Sequence, residues 1–258
     1  MSKHALKLVA CLSAALIGGP GVSADRPLLL VTQSFAPFSY EESGQAAGPA
    51  VDIMRAVCDT AGVRCLFSVM PWRRAVAEVQ NGQADGLFPL LPSRDREKTL
   101  WLSAPLLSTA YGFFVPIRSR WHYRAPADLA GMTLGVYGPS GTASALQEVV
   151  APRRDVKTEV ELNNLTAFRK LVGGRYGDQA AVFANREVGL ALLKQGTLGD
   201  LKLAGELPAI HYVFALSRQT SSAAQMSRLN RALDELQRSG QIKAILARHG
   251  LDTAPLGK

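Results

Sequence analysis

Residues 71–105 read PWRRAVAEVQNGQADGLFPLLPSRDREKTLWLSAP. From Trp72 the apolar positions Val76 and Val79 recur at helical spacing. Asn81-Gly82 ends that pattern, because glycine adopts a left-handed C-terminal cap without a Cβ penalty. Residues 84–91 follow as a short apolar run of strand length, and Pro92 closes it. Ser93 then stands where a helix N-cap belongs, with Asp95 and Glu97 in the first turn behind it. The order is helix, buried strand, charged turn, and whether it repeats on either side decides the fold.

It does repeat. Upstream, residues 27–32 form an apolar strand pattern that enters the turn Ser34-Phe35-Ala36-Pro37-Phe38. Gly48-Pro49 opens a helix through residue 61 with Val51, Met54, Val57 and Cys58 on one face, and 63–70 is a second strand. Downstream, 111–117 is an aromatic strand and Asp128-Leu129-Ala130-Gly131 a polar segment. Residues 132–137 form a strand that runs through Gly138-Pro139-Ser140-Gly141-Thr142 into a helix ending at 150. Strand 159–162, helix 164–172, strand 180–184 and helix 187–195 continue the alternation. Two sets of βα units predict an α/β chain of two lobes. Strand 210–216 and helices 223–238 and 241–248 close the chain. No low-complexity linker is present, so strands are expected to join the lobes.

The chain has 258 residues, 47% hydrophobic and 19% charged, which suits globular cores and not disorder. Its start differs. Lys3 and Lys7 precede an apolar run over 8–17, Gly18-Gly19-Pro20 breaks it, and Val22-Ser23-Ala24 has the small residues of a cleavage site, so 1–24 is read as a signal peptide. The run is shorter than the roughly 20 residues that span a bilayer. Lipoprotein processing at Cys11 is the other alternative, although Cys11 stands early in the run. Export leaves Cys58 and Cys65, which in an oxidising compartment form either a short-loop disulfide, contributing about 2–3 kcal/mol, or a pair of core thiols. The histidines at 4, 122, 211 and 249 share no helix face or turn with one another or with a cysteine, so neither metal nor cofactor is expected. The formal net charge is +8, lowered by two when Lys3 and Lys7 leave. Its bases are scattered in pairs such as Arg73-Arg74 and Arg153-Arg154, which argues against nucleic acid as a partner.

The set Phe35-Ala36-Pro37-Phe38-Ser39-Tyr40, Gly48 with Asp52, Trp72, Gly82 with Asp85, Arg96, Ser103-Ala104-Pro105 and Gly141-Thr142 resembles, in order and spacing, the family 3 bacterial extracellular solute-binding proteins. The resemblance covers nearly the whole mature chain, and the Cys58–Cys65 spacing is similar to the disulfide of the basic-amino-acid binders. It implies a monomeric periplasmic protein of the type II two-lobe fold, delivering a small carboxylate-bearing solute to an ABC permease in the inner membrane. Lobe one is expected over 25–114 plus 214–258 and lobe two over 115–213, with crossings near 114–116 and 212–214 as the hinge. Such a clamp closes because a ligand touching both lobes favours the closed state.

By the same resemblance, Arg96, seven residues before Ser103, grips the ligand α-carboxylate, to which a guanidinium offers two parallel hydrogen bonds. Its alternative is an ion pair with Asp95 or Glu97 on a surface helix. Trp72 and Phe35 match the aromatic positions that sandwich the ligand, against a purely core role. Gly141-Thr142 matches a turn whose amides meet the carboxylate at a helix N-terminus, against a mere tight turn. Two positions depart from the pattern. Asn185 aligns with the acid that pairs with a ligand α-ammonium, unless Asp178 takes that place. Thr32 stands where basic-amino-acid binders carry an acid. Lysine or arginine is therefore disfavoured against neutral or acidic amino acids or an organic acid without an amino group, and Arg73 could add a second cation. No catalytic residue is assigned. The rival is an enzyme similar to cyclohexadienyl dehydratase, with Glu187 as its acid, and a receptor feeding a sensor kinase is a third reading.

Overall fold

The computed structural model of the chain describes residues 26–196 and 198–251. The expected signal peptide, Cys11 included, lies outside them. The first strand, β1 (Leu28–Thr32), is followed by a hairpin, β2 (Tyr40–Glu42) and β3 (Gln45–Ala47). Helix α1 (Pro49–Ala61) begins on Gly48 with proline in its first turn, and it ends on Gly62 in the left-handed conformation. Its buried face is Val51, Ile53, Met54, Val57 and Cys58. Beyond Gly62 lies β4 (Cys65–Val69), and a Cys58–Cys65 disulfide fastens the end of α1 to its first residue. The disulfide alternative for the two thiols is thus the one the structure has.

Helix α2 (Trp72–Gln80) buries Ala75 and Val79, with Gly82 at φ 71° behind it. Strand β5 (Gly86–Leu90) is buried throughout, and a short helix, α3 (Arg94–Glu97), starts on Ser93, whose hydroxyl accepts from the Arg96 amide. Two short strands, β6 (Leu100–Leu102) and β7 (Leu107–Thr109), lead to β8 (Tyr111–Pro116). After a 3-10 turn at Pro126–Leu129 come β9 (Thr133–Tyr137), α4 (Gly141–Val150), β10 (Lys157–Glu161), α5 (Asn164–Val172) and β11 (Ala180–Asn185). The chain continues through α6 (Arg186–Lys194), β12 (Leu201–Glu206) and β13 (Ile210–Ser217) to α7 (Ala223–Arg238) and α8 (Gln241–Arg248).

The strands form two sheets. The first has the order β4-β1-β5-β13-β6, with β7 also on β13. The second has the order β10-β9-β11-β8-β12. In each, three strands are parallel, and β8, β12 and β13 join antiparallel. Each sheet has buried apolar clusters: α1, α7 and α8 supply much of one cluster of the first lobe, and α2 packs in the other. The result is a type II two-lobe α/β fold.

Sheet membership corrects the expected crossings. Tyr111 to Phe114 pair with Asn185 to Val182 in the second sheet, whereas Ile210 to Tyr212 pair with Thr109 to Leu107 in the first. The chain therefore changes sheet at Ala110 and again at 207–209. The crossings expected near 114–116 and 212–214 fall inside strands, because an apolar run announces a strand but not the sheet that receives it. Among the described residues, no helix is long and apolar enough to cross a membrane.

Candidate functional site

One wall is built by the stretch 71–105. Trp72 opens α2 with its ring partly buried, while Ala75 and Val79 anchor that helix on β5. Leu91 follows β5, and its carbonyl oxygen accepts a hydrogen bond from Arg96 Nη1. The Arg96 guanidinium lies 5.8 Å from the centre of the Trp72 ring, within cation–π range. Neither neighbouring acid takes it: Asp95 pairs with Lys98 at 2.7 Å, and Glu97 is exposed to solvent. Burial lowers the pKa of Arg96 from its ordinary value, and no acidic group offsets that effect. Among the described residues, Arg96 is therefore a half-buried cation with no anion beside it. Arg94 and Arg73 are exposed.

The facing wall comes from the second lobe. Ser140 caps α4, its hydroxyl accepting from the Ala143 amide at 3.2 Å, so Gly141 and Thr142 form the first turn. A Cβ placed on Gly141 would lie 3.9 Å from Leu91 Cδ1 and 3.8 Å from the Tyr111 hydroxyl. The N-terminus of α4 thus stands against the same Leu91 whose carbonyl holds Arg96. Helix N-termini favour anions through unpaired N–H groups and the helix dipole, so both walls present positive potential to one cleft.

The floor is polar and buried. Tyr111 and Tyr212 stand next to the two crossings. The Tyr111 hydroxyl stands near those of Tyr212 and Thr142, and the Tyr212 hydroxyl near Asn185. Burial raises the pKa of both phenols, keeping them protonated at neutral pH. Asn185 is 2% exposed. Its Oδ1 accepts from the amides of Glu187 and Val188, which makes it the N-cap of α6, and its Nδ2 donates to Thr109 Oγ1 at 2.9 Å. Glu187 is buried as well. Arg186 Nη2 reaches its Oε1 at 2.6 Å, and the Thr109 hydroxyl donates to its Oε2. Phe35 packs on this floor, 5.8 Å edge-on from Tyr212 and 5.1 Å from Phe38.

The structure brings Trp72 and Arg96 into one wall, Thr142 into the other and Asn185 with Phe35 to the floor. Thr32 is buried, and its hydroxyl bonds Ser39 Oγ at 3.0 Å. Asp178 lies exposed after Gly177, whose φ of 82° marks a turn. Sequence reasoning missed Tyr111, Tyr212, Thr109 and the Leu91 carbonyl. The available signal was a tyrosine near each lobe crossing, Tyr111 read as part of an aromatic strand and Tyr212 as part of the hinge. A separate open groove of about 330 Å³ runs between Ala36 of the first lobe and Asn163, Leu165, Val188 and Leu192 of the second. Val188 joins the first lobe's apolar cluster there, so the lobes also touch beside the floor.

Two α/β lobes, joined by two crossings and facing each other across a cationic cleft, define a binding protein of the type II periplasmic class. Residues 29–252 match the family described as bacterial extracellular solute-binding proteins, family 3, and the chain belongs to it. A relative, the probable amino-acid-binding protein YxeM of Bacillus subtilis (strain 168), is 25% identical over 243 residues, covering 92% of this chain and 89% of the relative. Among solved structures, an ancestral arginine-binding protein bound to arginine superposes with a TM-score of 0.70 at 24% identity, over 86% of this chain and 97% of that one. The ancestral amino acid-binding protein AncCDT-1, a precursor of cyclohexadienyl dehydratase, gives 0.69 at 19% identity, over 86% and 94%.

Proposed function

We propose that this chain is exported, captures a small carboxylate-bearing solute in the cleft between its lobes, and passes it to an ABC permease. The lobes are taken as 26–110 with 210–251, and 111–206, bending at Ala110 and 207–209. Arg96 carries the reading. A half-buried guanidinium without an anionic partner among the described residues, on the opposite side of Leu91 from the N-terminus of a helix of the other lobe, is a carboxylate receptor in waiting. Trp72 holds that guanidinium from the aromatic side, and Phe35 offers a ring to the remainder of the ligand. A ligand that bridges Arg96 and the Thr142 turn binds the closed arrangement better than the open one, and so drives closure. Family membership and the amino-acid-binding description of the Bacillus relative support the same class of ligand.

Thermal-shift screening of amino acids and organic acids tests this. At ligand a hundredfold above its dissociation constant, stabilisation is about 2.7 kcal/mol, and Arg96→Ala is expected to abolish it. An unchanged ligand shift in that variant refutes the carboxylate clamp.

The dehydratase-like reading draws on one observation, the buried carboxyl of Glu187. Proton transfer needs an oxygen that can leave its partners, and both oxygens of Glu187 are engaged by Arg186 and Thr109. That favours capture over catalysis. Incubation with prephenate or arogenate separates the two: appearance of the aromatic product supports the enzyme, and stoichiometric binding without turnover supports the receptor.

A further inference from the structure

The carboxylate reading leaves open what the rest of the ligand carries, and the cleft floor bears on that. An α-ammonium has three N–H donors and a full charge, and leaving either unmatched in a buried place is costly. The acceptors at the floor are already occupied. Asn185 Oδ1 receives the Glu187 amide at 3.1 Å and the Val188 amide at 3.2 Å, one for each lone pair. Glu187 Oε1 receives Arg186 Nε at 2.8 Å and Nη2 at 2.6 Å, and Oε2 receives the Thr109 hydroxyl. The negative charge of Glu187 is therefore matched within the protein. Glu148, whose field reaches Tyr111, sits at an exposed position of α4 where solvent screens it.

The donors tell the opposite story. An amide nitrogen only donates, and Asn185 Nδ2 gives a hydrogen bond to Thr109 Oγ1 at 2.9 Å, with the hydroxyls of Tyr212 and Tyr111 beside it. The Tyr111 hydroxyl, kept protonated by burial, stands next to the Gly141 turn. Among the described residues, the cleft thus offers Arg96 and the Tyr111 hydroxyl as donors, and no carboxylate free to receive a cation.

We infer that the ligand is a carboxylate without an ammonium group, an acceptor-rich organic acid such as a 2-hydroxy acid, a 2-oxo acid or a dicarboxylate. This rests on the carboxylate reading above and narrows it. The acid's first carboxylate meets Arg96, and an oxygen on its neighbouring carbon accepts from Tyr111.

Calorimetric titration with matched sets tests it: alanine against lactate and pyruvate, glutamate against 2-hydroxyglutarate and 2-oxoglutarate, phenylalanine against phenyllactate and phenylpyruvate. In any set that binds, the acid without nitrogen is expected to bind at least tenfold more tightly than the amino acid. An amino acid that binds as tightly as its analogues, or more tightly, overturns the inference and leaves the carboxylate reading standing. No binding by any member of the three sets counts against both. Asn185→Asp keeps a good helix cap and adds the charge, so it is expected to raise amino-acid affinity at least tenfold relative to the analogue. An unchanged ratio in that variant overturns the role given to Asn185.

Discussion

Gly48 holds φ 104° and ψ 163°, a backbone region that only glycine enters without strain, and a Cβ there would lie 2.6 Å from the carbonyl oxygen of Phe38. That carbonyl accepts from the Ala50 amide and so locks the 35–39 turn onto the start of α1. Gly48→Ala is expected to cost about 2 kcal/mol or more in a urea titration, and to weaken ligand binding because the turn seats Phe35. A variant of native stability would show that the turn yields without cost. At this scale the sequence was legible where one residue type has one use: Gly48-Pro49 as a helix opening, Gly82 as a stop, Ser93 as a cap. It was not legible at Asn185, where one amide serves both α6 and the floor. A cap is read from residues before a helix, and here the same residue ends a buried strand.

Strands and helices with a single apolar face were visible from periodicity, and α7 and α8 fall where their leucine stripes placed them. The strands β2, β3, β6, β7 and β12 were not. Four of them have three residues each, too short to show a period, and β12 mixes lysine, glycine and glutamate with its leucines at the sheet edge. Sheet order depends on distant partners, as with Asp85, which ties β1 to the rest. Burial works to raise the Asp85 pKa. The hydrogen bonds from Arg26 and the Leu29 amide outweigh it, holding the carboxyl below its ordinary 3.8. A carboxyl depressed in the folded state lends stability above its unfolded pKa and loses it as pH falls through the folded value. Asp85→Asn is therefore expected to lose about 1–3 kcal/mol at neutral pH and to show a shallower fall in urea midpoint below about pH 4 than the parent chain. Parallel pH curves for the two proteins would remove Asp85 from the acid response.

Across the whole molecule, the two lobes meet at the α4 turn against Leu91 and at Val188 against the first lobe, with paired crossings between these contacts. Closure about the crossings predicts a smaller radius of gyration on ligand addition, measured by small-angle scattering, and no change in Arg96→Ala. A chain whose dimensions ignore a bound ligand would not be working as a clamp. The chain's path also has a bearing on how it assembles. The second sheet uses only residues from Tyr111 to Glu206, one unbroken segment, so nothing outside it is needed to complete its ladder. The first sheet is different, because β13 sits between β5 and β6 and comes only after that entire segment. A chain synthesised N-terminus first leaves β5 with an open edge until residues 210–217 arrive. The lobe that starts the polypeptide is thus the one finished last, and the cleft comes into being only when the final strand slots home.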